Sequence, residues 1–306
     1  MGVRIASTGV ALPEKIVTSE EIENKLGLES GWIEQRTGIR KRRWVENETI
    51  LDLALRALLS ALEGLESVRG SIDRLFFVTS SEKPSYVPYS VQLAAACGLD
   101  KAVGNDITGG FVSFLHAMDL SLAAIESGKS SGTVIVAAET LSRHLDEKDV
   151  DTLPIFADGA GAVVLLPDSW HHVSFFKSIP EASEDLTVDS EGLIRMKGLR
   201  VFKAAVSGIE ETVRALLDKA GMRPEKVDLV VPHQANLKII TRAFQDLEIP
   251  KERVFVNLQE IGNTGSASIP IALHFALQKF SPRSILLAGV GSGISYGGLL
   301  LWEVEE

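Results

Sequence analysis

Apolar positions along the chain fall into short continuous runs, bounded by polar or glycine-rich turns, that alternate with stretches of helical spacing. The runs Val3–Leu12, Leu75–Thr79, Gly104–Thr108, Gly132–Ala138, Val163–Leu166, Val173–Ile179, Val227–Val231, Arg253–Val256, Ser284–Val290 and Gly297–Val304 read as strands. Between them, Thr49–Leu65 places Leu51, Ala54, Leu55, Leu58, Leu59 and Leu62 on one helical face. Further helices are expected at Ser19–Leu26 with Ser19 as cap, Val87–Cys97, Phe111–Ser127, Val201–Ala220, Asn236–Leu247 and Ser268–Phe280. Glu181–Glu191 reads as an acidic loop. Buried strands alternating with helices specify a layered α/β fold. Strand, polar or Gly turn and helix recur in both halves, with Asp106–Gly110 and Pro232–Asn236 at related places, which suggests a duplicated unit. No low-complexity linker separates the halves, so a shared core is expected, with residues 1–166 and 167–306 as its two lobes.

Composition narrows the function. The chain has 306 residues, 45% hydrophobic and 24% charged, as in ordinary globular proteins. A net charge of −10 argues against nucleic acid as a main partner. The one dense basic run, Arg36, Arg40, Lys41, Arg42 and Arg43, reads by itself as a solvated face. The single Cys97 excludes an internal disulfide and fits a reducing compartment. The N-terminus lacks a signal pattern, and no apolar run reaches the ~18 residues of a membrane helix. A cytoplasmic protein with no membrane partner is expected.

Candidate chemistry gathers at strand ends. In Asn105–Met118 a strand runs through Gly109 and Gly110 straight into a helix at Phe111. Such an elbow exposes one side chain beside free N–H groups, which is how many enzymes present a nucleophile. Here the exposed residue is Phe111, which has none. Val231-Pro-His-Gln-Ala-Asn236 puts His233 at a strand end, Gly262-Asn263-Thr264-Gly265 puts a carboxamide in a tight turn, and Gly289–Gly293 exposes backbone N–H groups. Each alone is weak: His233 as a structural hydrogen-bonder, GNTG as a mere turn. Converging at one edge of the core, imidazole, carboxamide and backbone N–H suit a thioester or enolate oxygen, and no metal is called for.

These motifs, with Trp32-Ile-Glu-Gln-Arg-Thr-Gly-Ile-Arg40, Phe156–Ala162, Met196–Lys203, GNTGSAS and GSGISYGG, make the chain resemble 3-oxoacyl-acyl-carrier-protein synthase III, of the thiolase superfamily, over nearly its whole length. The resemblance implies a thiolase fold, duplicated α/β halves in a five-layered α-β-α-β-α arrangement, and a homodimer. It implies decarboxylative condensation of acyl and malonyl thioesters, with coenzyme A thioester as substrate, no covalently bound cofactor, and acyl carrier protein as a candidate partner. His233 and Asn263 take the decarboxylating roles, and the nucleophile's position falls on Phe111. Oxyanion N–H groups are expected from Phe111 and from Ser292 or Gly293. Trp32, Arg36 and Thr37 match the coenzyme A grip, and Lys203 and Lys238 keep charge on the carrier-docking face. A nucleotide-gripping Arg of some members aligns with Val150, and two basic docking residues align with Gln245 and Asp246. Cys97, preceded by Ala-Ala-Ala, imitates the nucleophile's local string but ends the helix before the elbow strand, so a buried structural thiol is expected.

Without a thiol the covalent step is lost, since Ser113 points elsewhere from the first helical turn. Phe111 also adds bulk on the acyl chain's path. Three readings stay open: an enzyme working without cysteine, an inactive subunit pairing with a cysteine-bearing paralogue, and a Cys-to-Phe variant of an ordinary condensing enzyme.

Overall fold

Strands buried on both faces send alternate side chains into different layers, and that alternation assembles the molecule. In the computed structural model, which describes residues 2–303, the first sheet runs in the order Gly2–Ala11, Asp158–Asp168, Thr133–Thr140, Arg74–Thr79, Val103–Thr108. The second runs Leu229–Pro232, Ser284–Gly291, Ser295–Trp302, His171–Ser178. Leu75 and Phe77 pack outward on helices Ile50–Leu62 and Tyr89–Ala96, whereas Phe76 and Val78 face the centre. Ile285 and Leu287 meet them there, and Leu286 and Ala288 turn towards the outer helices Gly198–Ala220 and Leu237–Ala243. The centre is filled by helices Ser113–Glu126 and Ser268–Leu277, so the layers are helix, sheet, helix, sheet, helix. This is the expected five-layered α-β-α-β-α arrangement.

The duplication is explicit in the pairing. Arg74–Thr79 pairs parallel with Thr133–Thr140, which pairs antiparallel with Asp158–Asp168, which pairs antiparallel with Gly2–Ala11. Leu229–Pro232, Ser284–Gly291, Ser295–Trp302 and His171–Ser178 repeat that sequence of orientations. The repeat corrects one expected equivalence. Pro232–Asn236 follows the counterpart of Arg74–Thr79, so it matches the segment after Thr79, not Asp106–Gly110. The counterpart of the elbow is Gly262–Gly265, which opens the other central helix.

Several element boundaries differ from expectation for local reasons. Gly109 and Gly110 adopt φ of 135° and 80°, and the turn they make delays the elbow helix from Phe111 to Ser113. The strand expected at Val163–Leu166 extends over Asp158–Asp168: a Cβ on Gly161 would lie 2.8 Å from the Ile271 backbone nitrogen, so small residues let the central helix press on the sheet. Arg253–Val256 shrinks to a single bridge between Val254 and Val230. Thr18, in a capping box with Glu21, caps the first helix, while the Ser19 hydroxyl donates to the Ile39 carbonyl. Glu181–Glu191 contains the strand Leu186–Val188, paired with Ile194–Met196. The last strand ends at Trp302; Val304 lies outside the described residues.

Candidate active site

The elbow, the His turn and the Asn turn meet around one cavity of 210 Å³, lined by Phe111, His233 and Asn263 at its inner end and by Trp32, Arg36 and Asn236 towards its mouth. Phe111 is buried, its ring 5.7 Å from the His233 ring centre at an interplanar angle of 38° and 5.9 Å from Phe156, edge on. No bond occupies the Phe111 N–H among the described residues. The Gly-rich turn packs closely against this nitrogen: a Cβ on Gly291 would come within 2.7 Å of it. Gly291 lines the cavity, Ser292 faces a second cavity and Gly293 lines neither. Ser113, as expected, points away, its hydroxyl donating to the Gly110 carbonyl.

His233 is held by its backbone, whose N–H donates to Ala288 O at 2.8 Å. Its neighbour Gln234 fixes the turn: the Gln234 N–H donates to Ser268 Oγ, and its carboxamide donates to the Pro232 and Phe255 carbonyls. Among the described residues the imidazole makes no hydrogen bond, and its Nδ1 is fully buried. An unpaired buried polar group costs roughly 1–3 kcal/mol. Burial pushes the imidazole down to about 4, so the ring is neutral near pH 7. Asn263 is clamped between Ile155 and Ala157 by backbone bonds of 3.1 and 2.8 Å. Its Oδ1 accepts the Gly265 N–H at 3.0 Å, and the amide nitrogen has no acceptor among the described residues. The neutral His233 ring and the Asn263 carboxamide therefore line the same cavity.

The basic run is no uniform solvated face. Arg36 stacks on Trp32 at 4.2 Å, and the Arg36 carbonyl accepts from Asn236 Nδ2. Arg42 is fully buried, donating to Ser19 Oγ and Pro154 O, and Arg40 and Lys41 both pair with Glu260. Thr37 lines the cavity while its hydroxyl donates to the Ile33 carbonyl. Val150 is exposed at the mouth. Lys203 and Lys238 are exposed outside the cavity on the two helices that border it. Cys97 lies in the outer core with Leu93 and Leu99, lines neither cavity, and has its thiol pushed up by burial.

Sequence reasoning missed the second cavity, of 280 Å³, on the far side of Phe111. Phe111 and Leu186 line both spaces and so divide them. At its rim His144 bridges two backbone carbonyls, Ser81 O at 2.7 Å and Gly192 O at 2.9 Å. Also missed was Glu139, wholly buried beside the Asn turn. A carboxylate near the end of the otherwise apolar run Thr133–Thr140 was its signal.

Residues 105–179 match the family described as 3-oxoacyl-[acyl-carrier-protein (ACP)] synthase III, and residues 217–302 match that described as its C-terminal part. A beta-ketoacyl-[acyl-carrier-protein] synthase III of Aquifex aeolicus is 38% identical over 98% of this chain and 99% of its own. The crystal structure of the 3-oxoacyl-[acyl-carrier-protein] synthase III of that organism superposes with a TM-score of 0.94 at 37% identity, covering 98% of this chain and 100% of that one. The priming beta-ketosynthase of the R1128 polyketide pathway superposes with a TM-score of 0.92 at 30% identity, covering 99% and 96%.

Proposed function

The chain belongs to the 3-oxoacyl-[acyl-carrier-protein] synthase III family, and from that premise we propose that it acts on malonyl and short acyl thioesters without a covalent acyl-enzyme. Phe111 stands at the position where the family's nucleophile is expected, so the reaction that remains within reach is decarboxylation, or direct acyl transfer. The observation that supports this is the pairing of His233 and Asn263 on one cavity, with no hydrogen bond to the imidazole or to the Asn263 amide nitrogen among the described residues.

In this reading the malonyl thioester carbonyl oxygen accepts hydrogen bonds from the neutral His233 ring and the Asn263 amide. The bond between the α-carbon and the carboxylate breaks, carbon dioxide leaves, and its electron pair becomes an enolate held by those two donors. A proton from solvent on the α-carbon completes an acetyl thioester. Phe111 and Phe156 make the inner wall apolar, which disfavours the substrate carboxylate and favours its loss. Trp32, Arg36 and Thr37 would hold the coenzyme A end, with Lys203 and Lys238 as the charge available to an acyl carrier protein. A homodimer in the cytoplasm completes the reading.

The test is malonyl-CoA turnover to acetyl-CoA, with His233→Ala as control. Turnover in the natural protein and a loss of roughly 100-fold or more in the variant is expected; equal rates end the reading. A second reading, an inactive subunit beside a cysteine-bearing paralogue, is favoured by the closure of Phe111 between the cavities and by Val150, Gln245 and Asp246 in place of basic residues. Purification from the native source distinguishes them: recovery only as a homodimer argues against pairing.

A further inference from the structure

The Asn263 turn hangs on a carboxyl group that touches neither cavity. Glu139 is fully buried near the end of Thr133–Thr140, and no cation lies within ion-pair distance among the described residues. Every contact it makes is to a donor. Its Oε1 accepts the Ser266 hydroxyl at 2.5 Å, the Ser266 N–H at 3.2 Å and the Ser80 N–H at 3.0 Å. Its Oε2 accepts the Ser80 N–H at 3.1 Å and the Thr79 hydroxyl at 3.3 Å. Ser266 lies within the turn Gly265–Ala267 that opens the central helix Ser268–Leu277. The carboxyl therefore sits at the positive end of that helix. The preceding N–H, from Gly265, is the one that fixes Asn263 Oδ1. A carboxamide has two ends, and which end faces the thioester depends on which is held from behind. Only a held Oδ1 leaves the donating nitrogen for the substrate.

We propose that Glu139 is a positioning residue: by gripping Ser266 it holds the Asn263–Ser266 turn in the register that aims the Asn263 amide nitrogen into the cavity. The inference rests on the thioester reading above. Its chemistry specifies which variants keep the function. In Glu139→Gln the remaining oxygen accepts from Ser266 and Ser80, and the new amide donates to the Thr79 hydroxyl, which can rotate to accept. Glu139→Ala takes the carboxylate acceptor from four donors, and Ser266→Ala removes one bond only.

The experiment combines steady-state kinetics on malonyl-CoA with crystal structures of the natural protein, Glu139→Ala, Glu139→Gln, Ser266→Ala and Asn263→Ala. Glu139→Ala is expected to lower kcat roughly 10- to 100-fold with KM changed less than about 2-fold, and Glu139→Gln to recover most of the loss. Combining Glu139→Ala with Asn263→Ala should cost no more than Asn263→Ala alone. In the Glu139→Ala crystal the Asn263 carboxamide should be turned or in two orientations. If Glu139→Ala fails to fold, Ser266→Ala carries the same expectations at smaller size. An unmoved Asn263 in either variant, or a loss that falls on KM, overturns the proposal. Absence of turnover in the natural protein overturns the thioester reading instead, and the crystallographic comparison still decides the role of Glu139.

Discussion

Phe111 and His233 are neighbouring rings whose consequences can be separated by single substitutions. If the elbow still presents its residue as a nucleophile's site does, Phe111→Cys should take up one acetyl group from acetyl-CoA, seen as added intact mass. No added mass would count against a latent condensing site. His233 makes a second prediction through its burial. Its ordinary value of 6.5 applies in the unfolded chain, and folding lowers it to about 4. Between those values the unfolded chain binds the extra proton. The stability gained from keeping the ring neutral is thus complete above pH 6.5 and is lost as pH falls towards 4, about 3 kcal/mol in all. Denaturant unfolding of His233→Gln should show a shallower fall between pH 6.5 and 4.5 than the natural protein; parallel curves would contradict the assignment. At this scale the sequence was legible where a residue's type is rare in its setting. His233 after a strand, Asn263 between glycines and Phe111 at an elbow all came together in one cavity. Glu139 and His144 escaped because their partners, Ser266 and the Ser81 and Gly192 carbonyls, are remote in sequence.

Elements are placed by the residues that let them approach. A Cβ on Gly9 would lie 2.2 Å from Ala57 O and 2.3 Å from Ala61 N, so the helix Ile50–Leu62 rests directly on the first strand. Gly9→Val should cost about 1–3 kcal/mol or more by overpacking, measured as a lower denaturation midpoint with an unchanged slope. Gly110 has a sharper constraint, with φ of 80° and Ser292 Oγ 2.5 Å from any Cβ, so Gly110→Ala should displace the Gly-rich turn and impair turnover more than folding. Hydrophobic periodicity located most of these elements because both sheets are buried on both faces. It began the strand of Asp158–Asp168 too late, at Val163, because glycine at 159 and 161 serves close packing. It overextended Asn236–Leu247, which the structure ends at Ala243, because apolar spacing continues into Phe244 and Leu247, both buried from beyond the helix end.

The whole molecule has one open sheet edge next to the elbow. Val103–Thr108 pairs on one side only, with Arg74–Thr79, and Val103 and Val91 beside it are exposed at 59% and 44%. Unpaired edges with apolar side chains invite pairing with another chain. The expected homodimer should therefore form here, and Val103→Asp with Val91→Asp should give a monomer by sedimentation velocity, while a dimer that survives both changes would place the interface elsewhere.

The two-fold repeat puts the elbow and the Asn turn at equivalent ends of the two middle helices, each contributed by a different half. Those helices, packed between the sheets, leave neither half with a complete core of its own. Severing the backbone at Ser169, between the sheets' last and first strands, should therefore yield two pieces that stay bound to one another, and either piece made alone should precipitate.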